Sequence, residues 1–246
     1  MTEAGTSKEL LGQAQLFAGQ TEELLRGVLP GLGADLRMAV LEVGDRPDRA
    51  AMRLIDAGGK SADVPLFVGG EQVGAARLTF LVCLDRSGGY LKTLRSGFSL
   101  YSLREKTPLV RLEYNSESHT APSAHWQFHG ERGAFSYWLA RVHSSEPYAA
   151  LPHSLSTLHF PVGGDRFRPV LEDFLEFLVR ECGVDHEVGW RGAVDAEREI
   201  WRAFQVRSAT RDFQAEAAAE LQRLGWTVKA PGEAVRSPSE RARNAW

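Results

Sequence analysis

Apolar residues along this chain follow two different periods. Near the N-terminus they recur three and four apart: Leu10, Leu11, Ala14, Phe17 and Ala18 follow Thr6 and Ser7, either of which can cap a helix. A second helical piece covers Thr21 to Leu25 and stops at Gly27 and Pro30. Ala34 to Val43 suits helix and strand equally. Asp45-Arg46-Pro47 reads as a cap with proline in the first turn, opening a helix over Arg49 to Ala57 that Gly58-Gly59 closes. From Val64 the period drops to two. VPLFV, a GGE turn and VGAARLTFLVCLD predict a hairpin, with Gly69 and Gly70 supplying the positive φ of its turn. Asp85 to Gly89 predicts the next turn, and Tyr90 to Leu94 and Phe98 to Leu103 predict two short strands.

The stretch Pro108 to Gly130 carries the sharpest alternation. Val110, Leu112 and Tyr114 alternate with Arg111, Glu113 and Asn115, and Trp126 and Phe128 alternate with His125, Gln127 and His129. Successive strand side chains point to opposite faces. An antiparallel pairing that puts the apolar residues on one face therefore groups Arg111, Glu113, His125, Gln127 and His129 on the other. Beyond it, Phe135, Trp138, Leu139 and Val142 have helical spacing, and Leu155 to Phe160 alternates as a last strand ended by Pro161. A helix near Pro169 carries Val170, Leu171, Phe174, Leu175, Leu178 and Val179 on its apolar stripe, with Glu172, Asp173 and Glu176 on a solvated face and Gly183 as its stop. Trp190 to Leu224 reads as two helices broken near Ser208 to Asp212, with Ile200, Trp201, Phe204, Phe213, Ala217 and Leu221 available for docking.

The fold class expected is α+β: an antiparallel meander of about five to seven strands, packed by helices and carrying helical N-terminal and C-terminal flanks. Residues 1–60 form the helical flank, 61–184 the α+β core, 185–228 the C-terminal helical segment and 229–246 a disordered tail. Strands and helices do not alternate as a nucleotide-binding α/β sheet requires, and neither a GxGxxG nor a GxxxxGK[ST] loop is present. At 246 residues the chain is long enough for a full core. Its net charge of -3 excludes a uniformly basic coat for nucleic acid and leaves room for a local basic patch. The positive charge is almost all arginine, which supplies forked donors for carboxylate or phosphate; GC-rich coding DNA gives the same bias. Cys83 and Cys182 share no metal-type spacing and read as buried reduced thiols. The first residues lack a basic stretch followed by an apolar run, and no window is apolar enough to span a bilayer, so a cytoplasmic protein without membrane association is expected.

Six of the seven histidines lie between His119 and His159. His125 and His129, four apart on a strand, are separated by about 13 Å along one face. That is too far for one metal unless a bulge or a helix brings the two together; no metal ligand is assigned and no cofactor is expected. One reading is a solvated sheet face whose histidines pair with Glu113 or water; binding of a metal or an anion without catalysis is another. The catalytic reading takes His125, His129, Glu113 and Arg111 as an acid/base set. Histidine exchanges protons near neutral pH, a carboxylate orients it or acts as base, and a guanidinium stabilises a developing phosphorane. Such a set suits phosphodiester transfer in RNA, where the 2′-hydroxyl is the internal nucleophile. Tyr114 and Tyr137 are possible additions.

A second motif, HFPVGGDRFRP, places Gly163 and Gly164 before a helix N-terminus with Arg166 and Arg168 alongside, the makings of an anion site. The bland alternative is a turn capped by Asp165, with the arginines paired to Glu172 or Asp173. No GxSxG elbow is present.

The order R-x-E-Y-N, aromatic and His strand, LHFPVGG-x-R-x-RP and EDF helix resembles a group of bacterial proteins of uncharacterised function. More distantly it is similar to the TumE-type toxins of toxin–antitoxin pairs. The comparable positions are Arg111, Tyr114, Asn115, His125 and His129, within residues 64–180; the toxins carry paired histidines where this chain has single ones. The resemblance implies an intracellular toxin-like or defence-associated component acting with a partner protein. Two functions follow as expectations: an RNA- or phosphodiester-directed sheet face, or a non-enzymatic module that binds a protein partner or a second copy through Trp190, Trp201, Phe204 and Trp226 on its C-terminal helices.

Overall fold

A computed structural model describes residues 3–85, 88–118, 121–130, 160–162, 167–230 and 232. The chain opens with α1 (Glu3–Val28), one continuous helix rather than two pieces. Leu10, Ala14, Ala18, Thr21, Leu25 and Val28 form its buried stripe, each three or four residues from the last. Then come β1 (Arg37–Val43), β2 (Arg46–Ile55), β3 (Val64–Val68), β4 (Glu71–Leu84), β5 (Leu91–Ser102), β6 (Val110–Asn115), β7 (Ala124–Phe128) and the short β8 (Phe160–Pro161). Three C-terminal helices follow: α2 (Leu171–Arg180), α3 (Trp190–Asp212) and α4 (Gln214–Arg223). No helix among the described residues is long and apolar enough to cross a membrane.

All eight strands join one antiparallel sheet in the order β1-β2-β4-β5-β6-β7-β8. The long β4 pairs with two strands along one edge: β3 over Glu71 to Ala76 and β2 over Thr79 to Cys83. At the β3–β4 turn Gly69 and Gly70 have φ of 60° and 81°, the conformation the turn demands. Both amides donate to the Asp185 carboxylate, at 2.8 and 2.7 Å, which ties this turn to the segment after α2.

Arg49 to Ala57 is not a helix. The segment is β2, in which Ala50, Met52 and Leu54 are buried and Ala51 and Arg53 face away. Pro47 falls in the bulged stretch between Arg46 and Ala50, where the pairing with β1 lapses and no ladder donor is needed. The sheet therefore begins at Arg37, within the part read as a helical flank. β5 is likewise one strand, with a bulge opposite Leu81 and Val82, where two were expected.

One face of the sheet is covered. α1 packs on β1, β2, β4 and β5, and α3 packs against α1 and α2. An aromatic run crosses this layer: Phe17–Phe80, Phe80–Phe98, Phe98–Phe174 and Trp126–Phe177 ring centroids lie 5.2, 5.4, 5.9 and 5.4 Å apart. α2 begins where Asp173 accepts from the Val170 amide at 2.9 Å, and Gly183, at φ 68°, follows its end. α3 and α4 meet at Phe213, close to the expected break. The cysteines are unpaired and half-buried, with burial raising both thiol pKa values. The helix expected over Phe135 to Val142, most of the strand from Leu155 and nearly all of the tail lie outside the described residues.

Candidate functional site

Cross-strand partners share a face, so the register fixes what the side of the sheet away from the helices presents. Arg53 on β2, Thr79 on β4, Gly97 on β5, Glu113 on β6 and His125 on β7 form one row. Arg77, Ser99, Arg111 and Gln127 form the next. His129 continues the strand direction beyond β7, its amide donating to the Leu109 carbonyl at 2.9 Å. The four residues proposed from sequence as an acid/base set thus sit on one face, as the alternation required. A Cβ at position 97 would meet only Thr79 Oγ1, at 3.0 Å, so the sheet is open beside Glu113.

Glu113 is the hub. Its carboxylate lies 3.4 Å from His125 Nε2 and 3.9 Å from an Arg111 guanidinium nitrogen. His125 is buried, and its Nδ1 lies 3.0 Å from the Pro122 carbonyl oxygen, which can only accept; Nδ1 therefore carries a proton. Nε2 is turned to Glu113. His129 differs. Its Nε2 is buried without a hydrogen-bond partner among the described residues. Burial first, and then the positive charge of Arg111, lower its pKa below the usual 6.5, with Glu113 opposing. His129 is a neutral imidazole at pH 7.

Arginines surround this group. Arg49 and Arg95 hold Glu117 at 2.8 and 3.5 Å, and Arg77 holds Asp63 at 2.8 Å while stacking over Tyr101. Among the described residues no group of three His, Cys, Asp or Glu side chains converges as metal ligands would.

The second motif is divided. Gly163, Gly164 and Arg166 lie outside the described residues, as do His119, His143, His153, His159 and Tyr137. Arg168 is buried on the helix-covered side, stacked over Tyr114 and Trp201 with its guanidinium carbon 3.8 and 4.8 Å from their ring centroids. Tyr114 therefore belongs to the opposite face from the histidines. Glu172 was expected on a solvated helix face, and it is buried. Asp173 and Glu176 do face outward, where Arg198 reaches them at 3.1 and 2.7 Å and Arg191 reaches Glu176 at 3.0 Å. The signal for Glu172 was its spacing: it stands three and seven residues before the buried Leu175 and Val179. The outer arginines of β2, β4 and β5 were also missed, because only the pairing order brings them beside β6.

No family model, curated protein or solved structure matches the chain.

Proposed function

We propose that this is a toxin-like, RNA-directed protein whose polar sheet face engages a phosphodiester. The observation that carries the reading is the order of groups along β6 and β7. The Glu113–His125 pair stands at one end, Arg111 and Gln127 in the middle, and the neutral His129 at the other. An in-line displacement at phosphorus needs its base and acid on opposite sides of the phosphate. In this reading His129 takes the 2′-hydroxyl proton, and Arg111 neutralises the phosphoryl oxygens. The Glu113–His125 pair then returns a proton to the leaving 5′-oxygen. His125 acts as a positioning residue, because its ring is buried and both nitrogens are engaged. Arg53, in the row of Glu113 and His125, adds electrostatic attraction for a flanking phosphate. The TumE-type resemblance, which rests on Arg111, Tyr114, Asn115, His125 and His129, points the same way.

The test is growth of a bacterial host on induced expression of wild type beside His129→Ala, His125→Ala and Glu113→Gln, with total RNA examined. Arrest with RNA cleavage, relieved by each folded variant, is expected. No arrest, or arrest unchanged in all three, overturns the reading.

A second reading has its own support. On α3 and α4, Ile200, Phe204, Val206, Leu221 and Leu224 are 45, 44, 62, 39 and 59% exposed, and Trp226 beyond them is 68% exposed. Exposed apolar residues can mark a protein-binding surface when they form one patch, and a second copy of the chain is the simplest occupant. Under that reading sedimentation finds a dimer that Phe204→Ser dissociates, and a monomer at every concentration removes it.

A further inference from the structure

On the helix-covered side, α1, β4, β5, the start of α2 and α3 line a partly open pocket of about 60 Å³, room for about four water-sized groups. Phe17, Phe80, Phe98 and Trp201 give it aromatic walls. Two buried polar groups in those walls lack a partner they need. Trp201 Nε1 is a buried donor with no acceptor among the described residues. Glu172 is 8% exposed, and among the described residues its carboxyl takes a hydrogen bond only from its own backbone amide. An indole donor without an acceptor and a buried carboxyl without a cation are each expensive to leave in an apolar wall. Both line the same pocket.

We propose that this cavity is a binding site for a small primary amine that also bears an acceptor oxygen. The ammonium group would pair with Glu172 against the aromatic walls, and the oxygen would accept from Trp201 Nε1. The class is that of short amino alcohols, whose four heavy atoms match the space. Aromatic walls beside a carboxylate are a favourable setting for an organic ammonium. The site lies across the sheet from the histidine face and does not depend on the reading of that face.

The charged groups around Glu172 are consistent with an unfilled cation site. Burial raises its pKa to about 7, Asp173 on its own helix and Glu197 on α3 push the same way, and Arg198 opposes. Arg198 is held by Asp173 and Glu176. Arg168, before α2, also lines the pocket, with its guanidinium faces stacked on Tyr114 and Trp201. Glu197, whose own pKa is raised by burial and then by Glu23 of α1, supplies a second carboxyl at the cavity wall. No ionisable group of the sheet lines the cavity.

Isothermal titration of the full chain with 2-aminoethanol tests this, with ethylamine and ethylene glycol as the partners lacking one group each. Saturable binding of 2-aminoethanol is expected, tighter than either control. Because Glu172 must be ionised, affinity rises about tenfold from pH 6 to pH 8. Glu172→Gln loses that rise and at least tenfold in affinity, while Trp201→Phe binds 2-aminoethanol no better than ethylamine. Absence of saturable binding by the wild type overturns the proposal, as does ethylene glycol binding as tightly as 2-aminoethanol. Equal affinity in a folded Glu172→Gln variant overturns it as well. The wild-type comparison of the three ligands decides the matter even where a variant fails to fold.

Discussion

The two faces of this sheet are built by alternate residues of the same strands, yet they solve opposite problems. On the helix-covered face Met52, Leu78, Phe80, Phe98 and Leu112 are buried against α1, α2 and α3, and their chemistry is exclusion of water. On the other face Arg53, Thr79, Arg95, Arg111 and Glu113 occupy the alternate positions, and their chemistry is charge. Both faces depart from this scheme. The polar face has buried His125 and Gln127, and the helix-covered side has buried Glu172 and Arg168. Those departures are where ionisable or hydrogen-bonding groups have been taken out of water, and they are where the candidate chemistry lies. A polar group that departs from its face is more informative than one that keeps to it.

This contrast can be broken by substitution, beginning with the covered face. Phe98 is almost wholly buried and touches the rings of Phe80 and Phe174, so Phe98→Ala should lower unfolding free energy by about 3–5 kcal/mol in denaturant titration. Glu172 tests the exception on that face. Its carboxyl is raised from 4.5 to about 7, so the folded state holds the proton more tightly than the unfolded chain does. The contribution of Glu172 to stability is thus greatest below pH 4.5 and is lost as pH rises through 7. Glu172→Gln should remove that fall and be the more stable protein at pH 8, by on the order of 3 kcal/mol, with near parity at pH 4.5. Next in size is Asp185→Ala, which frees two turn amides and should cost about 1–3 kcal/mol. Thr79→Ala, on the exposed face, should change stability by no more than about 0.5 kcal/mol. An outer-face substitution as damaging as Phe98→Ala would mean that the polar face, too, is structural.

His129 sharpens the same contrast through pH. A histidine whose folded pKa is depressed penalises the folded state as pH falls below its unfolded value of 6.5. As the base of the proposed reaction it keeps its activity below that pH, so the acid limb of the rate profile should lie under 6.5. His129→Ala should abolish that limb.

Much of the sheet was legible because its alternation is strict. In β6 and β7 every apolar residue falls on one side, so the register and the grouping of Arg111, Glu113, His125 and His129 followed from period two alone. β2 was misread for a physical reason. Ala50, Ala51, Met52, Arg53 and Leu54 are good helix formers, and only their docking between β1 and β4 under α1 makes them a strand. The helical propensity was real, and tertiary packing outweighed it. Glu172 was hidden by its neighbours: beside Asp173 and Glu176 it looks like part of one charged face, although it stands at the edge of the apolar stripe. The arginine rows of β2, β4 and β5 could not be read from β6 and β7, since the order in which strands pair is not written in the alternation of any one of them.

The most direct measurement sets the two faces against each other. Purified wild type, Glu113→Gln and Glu172→Gln would be incubated with total RNA, and the cleavage rate followed at pH 7. The account predicts cleavage by the wild type, a loss of about a hundredfold or more in Glu113→Gln, and an unchanged rate in Glu172→Gln. Absence of cleavage by the wild type, or an equal effect of both substitutions, would contradict it.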